Sequence, residues 1–426
     1  MTPEIKQRIE QIRRGEVPKG YKKTKAGIVP SVWDVTKLSS ISSHVTKKNA
    51  DGKVKTTFTN SATQGVIKQT DYFDKEISNK ENITGYYVVQ EDDYIYNPRI
   101  SASAPCGPIN KSHFKEPGVV SPLYTVFKMN DGLQKNRYIE FYLKSSFWHR
   151  YMCGVANYGA RHDRMNITNE DLFAMPIPFP TLAEQEKIAE IISAQDKLIE
   201  LKEKLIEEKK RQKKALMQQL LIGKKRLPGF SGDWKKQKMS DVLFERKEEN
   251  VDQNLRICSV AVNSGVVDQF EHLGKNMAAN DTSNYNVVHY GDIVYTKSPT
   301  GAFPYGIVKQ SQLSERVAVS PLYGVYKPAS YEIGYLLNEY FMYSNNTNGY
   351  LLPIVNKGAK NTINISNSTF ISPSIYLPVD FDEINKLVQI FKTANKEIET
   401  LQKELNQGKL KKKALMQLLL TGIVRV

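Results

Sequence analysis

Two pairs of short segments gather cations, hydroxyls and turn residues in patterns suited to contact with a polyanion. Asn97–Ser103 reads NPRISAS and Thr296–Gly306 reads TKSPTGAFPYG, each directly after a β-type run, DYIY at Asp93–Tyr96 and DIVY at Asp292–Tyr295. Further on, NYGARHDR begins at Asn157 and NKGAKN at Asn356, placing Arg161 and Lys360 at equivalent positions. Lys and Arg neutralise phosphates whatever the base sequence, whereas a few side chains aimed at base edges give selectivity. On that chemistry Arg99, Arg161, Arg164, Lys297, Tyr305, Lys357 and Lys360 are the expected contacts to double-stranded DNA. For each one alone, a solvated surface residue is the plain alternative.

Other chemistries lack their constellations. There is no G-x-x-x-x-G-K-[ST] phosphate loop and no G-x-G-x-x-G fingerprint, and GAKNT at Gly358 lacks the glycine frame of the former. Asn97 runs on as NPRI rather than as the aromatic Asn-Pro-Pro site that orients an amino group for methyl transfer, and no Pro-Asp dipeptide opens a nuclease carboxylate pattern. The histidines His44, His113, His149, His162, His272 and His289 show no metal or nucleophile spacing. Cys106, Cys153 and Cys258 are scattered, which predicts buried structural thiols rather than a disulfide frame or a zinc site. The expectation is a binding protein, not an enzyme, with no metal and no cofactor of its own.

The elements that must position these segments occur twice. VSPLYTVFK at Val120 returns as VSPLYGVYK at Val319, an offset of 199, and KKALMQQLL at Lys213 returns as KKALMQLLL at Lys412 with the same offset. Trp33 is answered by Trp234 after a short insertion. A period this long makes each copy a domain plus a helix, so the chain reads as a fused pseudo-dimer with approximate two-fold symmetry. With 426 residues and a formal net charge of +15, several domains and a polyanionic partner are expected. No apolar run suffices for a membrane span and the N-terminus has no signal-peptide centre, which predicts a soluble, cytoplasmic protein.

The expected segments are a basic N-terminal extension at 1–29, a first recognition domain at 30–180, a long helix at 181–226, a second recognition domain at 227–378 and a second long helix at 379–426. The domains are rich in Tyr, Val, Ile, Thr and turn residues, and read as α+β modules with substantial strand. The helical segments are dense in Leu, Ile, Lys, Glu and Gln without internal proline. Ile191, Ala194, Leu198, Leu201 and Leu205 alternate at three and four, as do Phe391, Ala394, Ile398, Leu401 and Leu405. These predict an antiparallel coiled-coil seam, with a packed core as the bland alternative. At about 39 residues and 1.5 Å rise each helix would be ~58 Å long, close to two turns of DNA at roughly 34 Å, and would serve as a ruler. Residues 202–226 hold ten Lys or Arg against three Glu, which is a solvated face, a DNA contact or a surface for an acidic partner.

Taken together, GYKKTKAGIVPSVWDV (Gly20–Val35), PIPFPTLAEQEKIAEII (Pro176–Ile192), RLPGFSGDWKKQKMSDV (Arg226–Val242) and the paired KKALMQ helix ends resemble the specificity subunits of type I restriction–modification systems. The resemblance runs nearly the whole chain in order; the second domain exit, SIYLPVDFDEINKLV (Ser374–Val388), departs from it in lacking the Glu-Gln pair. It implies two target recognition domains, each reading half of a split DNA target, and no catalytic activity. It also implies helices that set the spacing and dock two methyltransferase subunits using S-adenosylmethionine, here through Leu216, Met217, Leu415 and Met416. Motor–nuclease subunits requiring ATP and magnesium would complete a restriction complex. The recognition subunit of a different restriction system and a coiled-coil nucleic-acid-binding scaffold are the competing expectations.

Overall fold

The computed structural model describes residues 2–72, 83–156, 164–221, 223–274, 278–357 and 363–426. The chain forms two units, Met1–Lys202 with Glu404–Val426, and Glu203–Lys403. The divisions fall inside the two long helices, Leu182–Leu220 and Phe381–Leu420, so that each unit owns part of both.

In the first unit, short strands rich in Tyr, Val and Ile pair into an antiparallel sheet in the order Ser42–His44, Thr125–Met129, Tyr94–Tyr96, Ile109–Lys111. Phe127 faces Tyr94 across the ladder, and their rings stack at 5.5 Å. The hairpin Phe58–Ser61/Gly65–Lys68 and the pair Tyr87–Val89/Gly118–Val120 are linked by a bridge between Thr57 and Val119. A further pair, Asp34–Lys37 with Pro176–Phe179, brings the domain exit back beside its entry. The second unit repeats this plan: Leu243–Glu245, Gly324–Pro328, Ile293–Thr296 and Ile307–Gln310 form the first sheet, and Lys235–Lys238 pairs with Ser374–Leu377. There the hairpin Ile257–Ala261/Gly265–Asp268 joins Val317–Val319 and Asn286–Val288 in one four-stranded sheet.

Both long helices start on a side-chain cap. The Thr181 hydroxyl accepts the Glu184 N–H at 3.4 Å, and the Asp380 carboxylate accepts those of Asp382 and Glu383 at 2.8 and 3.2 Å. In each unit the glutamate three residues past the cap is buried and takes a tryptophan and an arginine. Glu184 accepts Trp33 Nε1 at 2.9 Å and Arg425 Nη2 at 2.7 Å; Glu383 accepts Trp234 Nε1 at 3.2 Å and Arg226 Nη2 at 2.7 Å. Arg425 stands to the first unit as Arg226 stands to the second, again 199 residues apart. The exit without a Glu-Gln pair therefore keeps the half of that pair, the glutamate, that makes this contact.

The helix pairing is antiparallel in both units. In the first, Gln195 Nε2 donates to the Gly408 carbonyl at 3.2 Å, Lys202 pairs with Glu404, and Lys412 pairs with Asp196 at 2.5 Å. In the second, Lys209 pairs with Glu397 at 2.6 Å. The expected seam on the first helix is nevertheless one position out of register. Leu198, Leu201 and Leu205 are 46%, 51% and 41% exposed, and Ala194 is exposed too; only Ile191 of that set packs partly against the core. The inward row is Ile188, Ile192, Gln195, Ile199, Lys202 and Ile206, at spacings of 4, 3, 4, 3 and 4. Gln195 and Lys202 break its apolar pattern because their polar ends find partners across the pair, which allows them inward. On the second helix Phe391 and Leu405 are buried and Ala394, Ile398 and Leu401 half-buried, in the expected row. The two rows are related by 199, like the rest of the repeat.

The apolar side chains of the KKALMQ ends lie against the cores of their units. Met217 is 1% exposed and belongs to the second unit's core with Leu220 and Phe391, and Leu216 packs against it. Leu419 and Leu420 are buried in the first unit's core, with Leu415 and Met416 against them. Of the expected docking residues, Met217 is thus spent on its own unit's core, while Leu216, Leu415 and Met416 are half-buried against theirs. The N-terminal segment forms a helix, Pro3–Arg13, whose Arg8 donates to the Ile423 carbonyl, and a hairpin of Tyr21–Thr24 with Gly27–Pro30. Among the described residues no helix is long and apolar enough to cross a membrane.

Candidate nucleic-acid interface

The loop after Tyr94–Tyr96 is built on a turn only glycine permits. Gly107 has φ of +75°, and a Cβ there would lie 2.0 Å from the Asn97 carbonyl oxygen. In the second unit Gly306, at φ of +101°, would put its Cβ 1.9 Å from the Thr296 carbonyl oxygen. Matching bonds hold both loops: Tyr96 Oη donates to the Cys106 carbonyl at 3.1 Å, and Tyr295 Oη to the Tyr305 carbonyl at 2.7 Å. Two loops of different sequence thus leave their strands in the same way.

On this frame Arg99 is exposed, and its backbone N–H donates to Asn97 Oδ1 at 3.0 Å. An antiparallel bridge joins Arg99 to Arg164, and the Met165 N–H donates to the Pro98 carbonyl at 3.0 Å. The fold therefore brings together two of the expected cations that lie far apart in sequence. Arg161 lies outside the described residues, as does Lys360. Lys297 directly follows its strand and is half-buried; burial lowers its pKa, against the opposing pull of Glu245. Tyr305 is half-buried against the second unit's core, so its ring is partly used in packing. Lys357 closes the short strand Asn356–Lys357, paired with Ile363–Asn364.

Asparagines that the sequence did not single out hold the first loop in place. Asn60 is 3% exposed; its Nδ2 donates to the Ile95 carbonyl at 2.7 Å and to Pro108 at 3.1 Å. Asn97 Nδ2 donates to the Asn60 carbonyl at 3.1 Å, and Asn110 Nδ2 to Asn60 Oδ1 at 2.7 Å. The only signal for them was the density of Asn beside β-type runs, which turns also produce. Behind this sheet Glu140 is buried, which pushes its carboxyl up, but His113 at 3.3 Å and Lys144 at 2.8 Å outweigh that and hold it at about 2.

Cys106 and Cys258 are buried as expected, whereas Cys153 is exposed and its sulfur lies 3.1 Å from that of Cys106. The fold, not sequence spacing, makes this pair. Among the described residues no group of His, Cys, Asp and Glu is arranged to hold a metal ion.

Residues 30–211 match the family model described as type I restriction modification DNA specificity domain. A chain from a structure on complex assembly and conformational transition of the type I R-M system is similar over 93% of this chain and 99% of that one, with a TM-score of 0.54 and 13% identity. The type I restriction-modification system S subunit from M. genitalium is similar over 91% of this chain and 96% of its own, with a TM-score of 0.51 and 15% identity. At such identities these likenesses show the shared fold. No curated protein sequence matches the chain.

Proposed function

We infer the function from one premise: residues 30–211 of this chain match the type I restriction modification DNA specificity domain. We propose that each unit reads one half of a bipartite target in double-stranded DNA, and that the long helices fix the distance between the halves. The observation that carries this reading is the repetition of one sheet-and-loop frame around different loop residues. Gly107 and Gly306 hold the same turn, yet Arg99 in one loop is Ser298 in the other, and Lys297 is answered by Pro98. A shared frame with divergent loops suits two modules doing one job on two targets.

Arg99 and Arg164 in the first unit, and Lys297 in the second, are the proposed phosphate or base contacts, with Arg161, Lys357 and Lys360 extending the two sets. Tyr305 is proposed as a contact through whatever edge its packing leaves free. In this reading the chain is non-catalytic. Two methyltransferase subunits holding S-adenosylmethionine dock on it, and motor–nuclease subunits supply ATP- and magnesium-dependent cleavage in the cytoplasm. Because the KKALMQ ends are packed into the cores, docking falls to the outward faces of the helices.

The test is a map of modified adenines in the host genome with and without this gene. The reading expects one split motif, with an unread spacer, to vanish on deletion. An unchanged map in a host shown to express the partner methyltransferase would overturn it.

A further inference from the structure

We propose that Cys106 and Cys153 form an oxidation site: a thiol pair in the first recognition unit that a peroxide converts to a disulfide. Their sulfurs lie 3.1 Å apart, so they must approach by about 1 Å to reach the ~2.05 Å of a bond. The two differ in access. Cys153 is exposed on the helix His149–Val155, whereas Cys106 is fully buried near the end of the Asn97–Pro108 loop, its Sγ 3.6 Å from the His149 carbonyl. A cavity of about 110 Å³ lined by Ala104, Gly107, Trp148 and His149 lies against both segments.

That asymmetry sets an order of events. The exposed Cys153 thiolate attacks one oxygen of hydrogen peroxide; the O–O bond breaks, hydroxide leaves and takes a proton to become water, and Cys153 becomes a sulfenic acid. The Cys106 sulfur then attacks the Cys153 sulfur; the S–O bond breaks, and the leaving hydroxide takes up the Cys106 proton as a second water. Overall two thiols and one peroxide give one disulfide and two waters. Burial, together with the neighbouring Cys153, pushes the Cys106 thiol up to about 12, which keeps it protonated and leaves Cys153 as the sulfur that meets peroxide first.

Nothing equivalent exists in the second unit, where the corresponding residues are Tyr305 and Leu352. Cys258 is buried in a separate apolar cluster, and burial pushes its thiol up to about 11. The disulfide would tie the Arg99 loop to the helix beside it in one unit only.

The experiment exposes the full chain to hydrogen peroxide, then counts thiols under denaturing conditions and maps peptides by mass. The expected result is a fall from three thiols to one, with a Cys106–Cys153 cross-linked peptide two hydrogens lighter than its parts. A dimedone adduct on Cys153 should appear early, and Cys153→Ser should leave the other two thiols unreacted. Retention of a free Cys106 while Cys153 goes on to sulfinic acid, or reaction of Cys258 at the same rate, would overturn the proposal.

Discussion

The two units share a frame but stabilise it by different chemistry. In the first, the sheet under the candidate loop is pinned by buried amides, Asn60, Asn97 and Asn110. The corresponding positions of the second are Val260, Thr296 and Lys309, and Val260 joins an apolar cluster with Val288, Val294, Phe303 and Ile307. A carboxylate buried at the same place in both sheets tells the same story. Asp292 receives Arg246 at 2.6 and 2.9 Å, whereas Val45 stands in the first sheet at the position of that arginine, and Asp93 accepts the Gln90 N–H at 2.8 Å. One backbone plan thus tolerates either a hydrogen-bonded or an apolar interior.

The features common to both units should be the most costly to alter. Gly107→Ala and Gly306→Ala each place a Cβ against a backbone carbonyl, and each should cost on the order of 4 kcal/mol in denaturant unfolding of its own unit. A large loss in one and none in the other would break the equivalence of the two loops. Next come the buried glutamates. Glu184→Ala strands Trp33 and Arg425, Glu383→Ala strands Trp234 and Arg226, and each should cost about 3 kcal/mol, less than for a fully buried pair because Arg425 is partly exposed.

The differences between units should appear as smaller, one-sided effects. Asn60→Ala removes the donor to the Ile95 and Pro108 carbonyls and the acceptor of Asn110 Nδ2, and should cost about 2 kcal/mol in the first unit's transition, leaving the second unmoved. Burial pushes the Asp93 carboxyl up from 3.8 to about 6, with the Gln90 N–H and Lys128 opposing. The folded state therefore holds this proton more tightly than the unfolded chain. Its contribution is full below pH 3.8 and is lost as pH rises through about 6. Melting of the first unit between these limits should show that slope, and Asp93→Asn should flatten it. Smallest of all, Leu198→Glu on the outward face should change stability by less than about 0.5 kcal/mol, whereas Ile206→Glu, on the inward row and 2% exposed, should be severe.

Much of this architecture was legible because repetition survives divergence. The duplicated plan, the strand-then-cation loops and the long helices all follow from pattern and offset. The helix seam misled because the first helix carries two candidate rows, and the one richer in leucine faces outward. A constant offset of 199 would have chosen correctly: Phe391 and Leu405 correspond to Ile192 and Ile206, not to Ile191 and Leu205. Composition favoured leucines over a row containing Gln195 and Lys202, since only the partner helix reveals that those polar ends are satisfied. The meeting of Arg99 with Arg164, and of Cys106 with Cys153, depends on tertiary packing and left no local trace.

The central claim is that each unit reads its own half of a split target. The most direct measurement maps adenine methylation in cells whose only copy of this chain carries a homologous replacement of residues 30–180. The account predicts that one half of the recognised motif changes while the other half and the spacer length are retained. A change in both halves, or in neither while methylation continues, would contradict it.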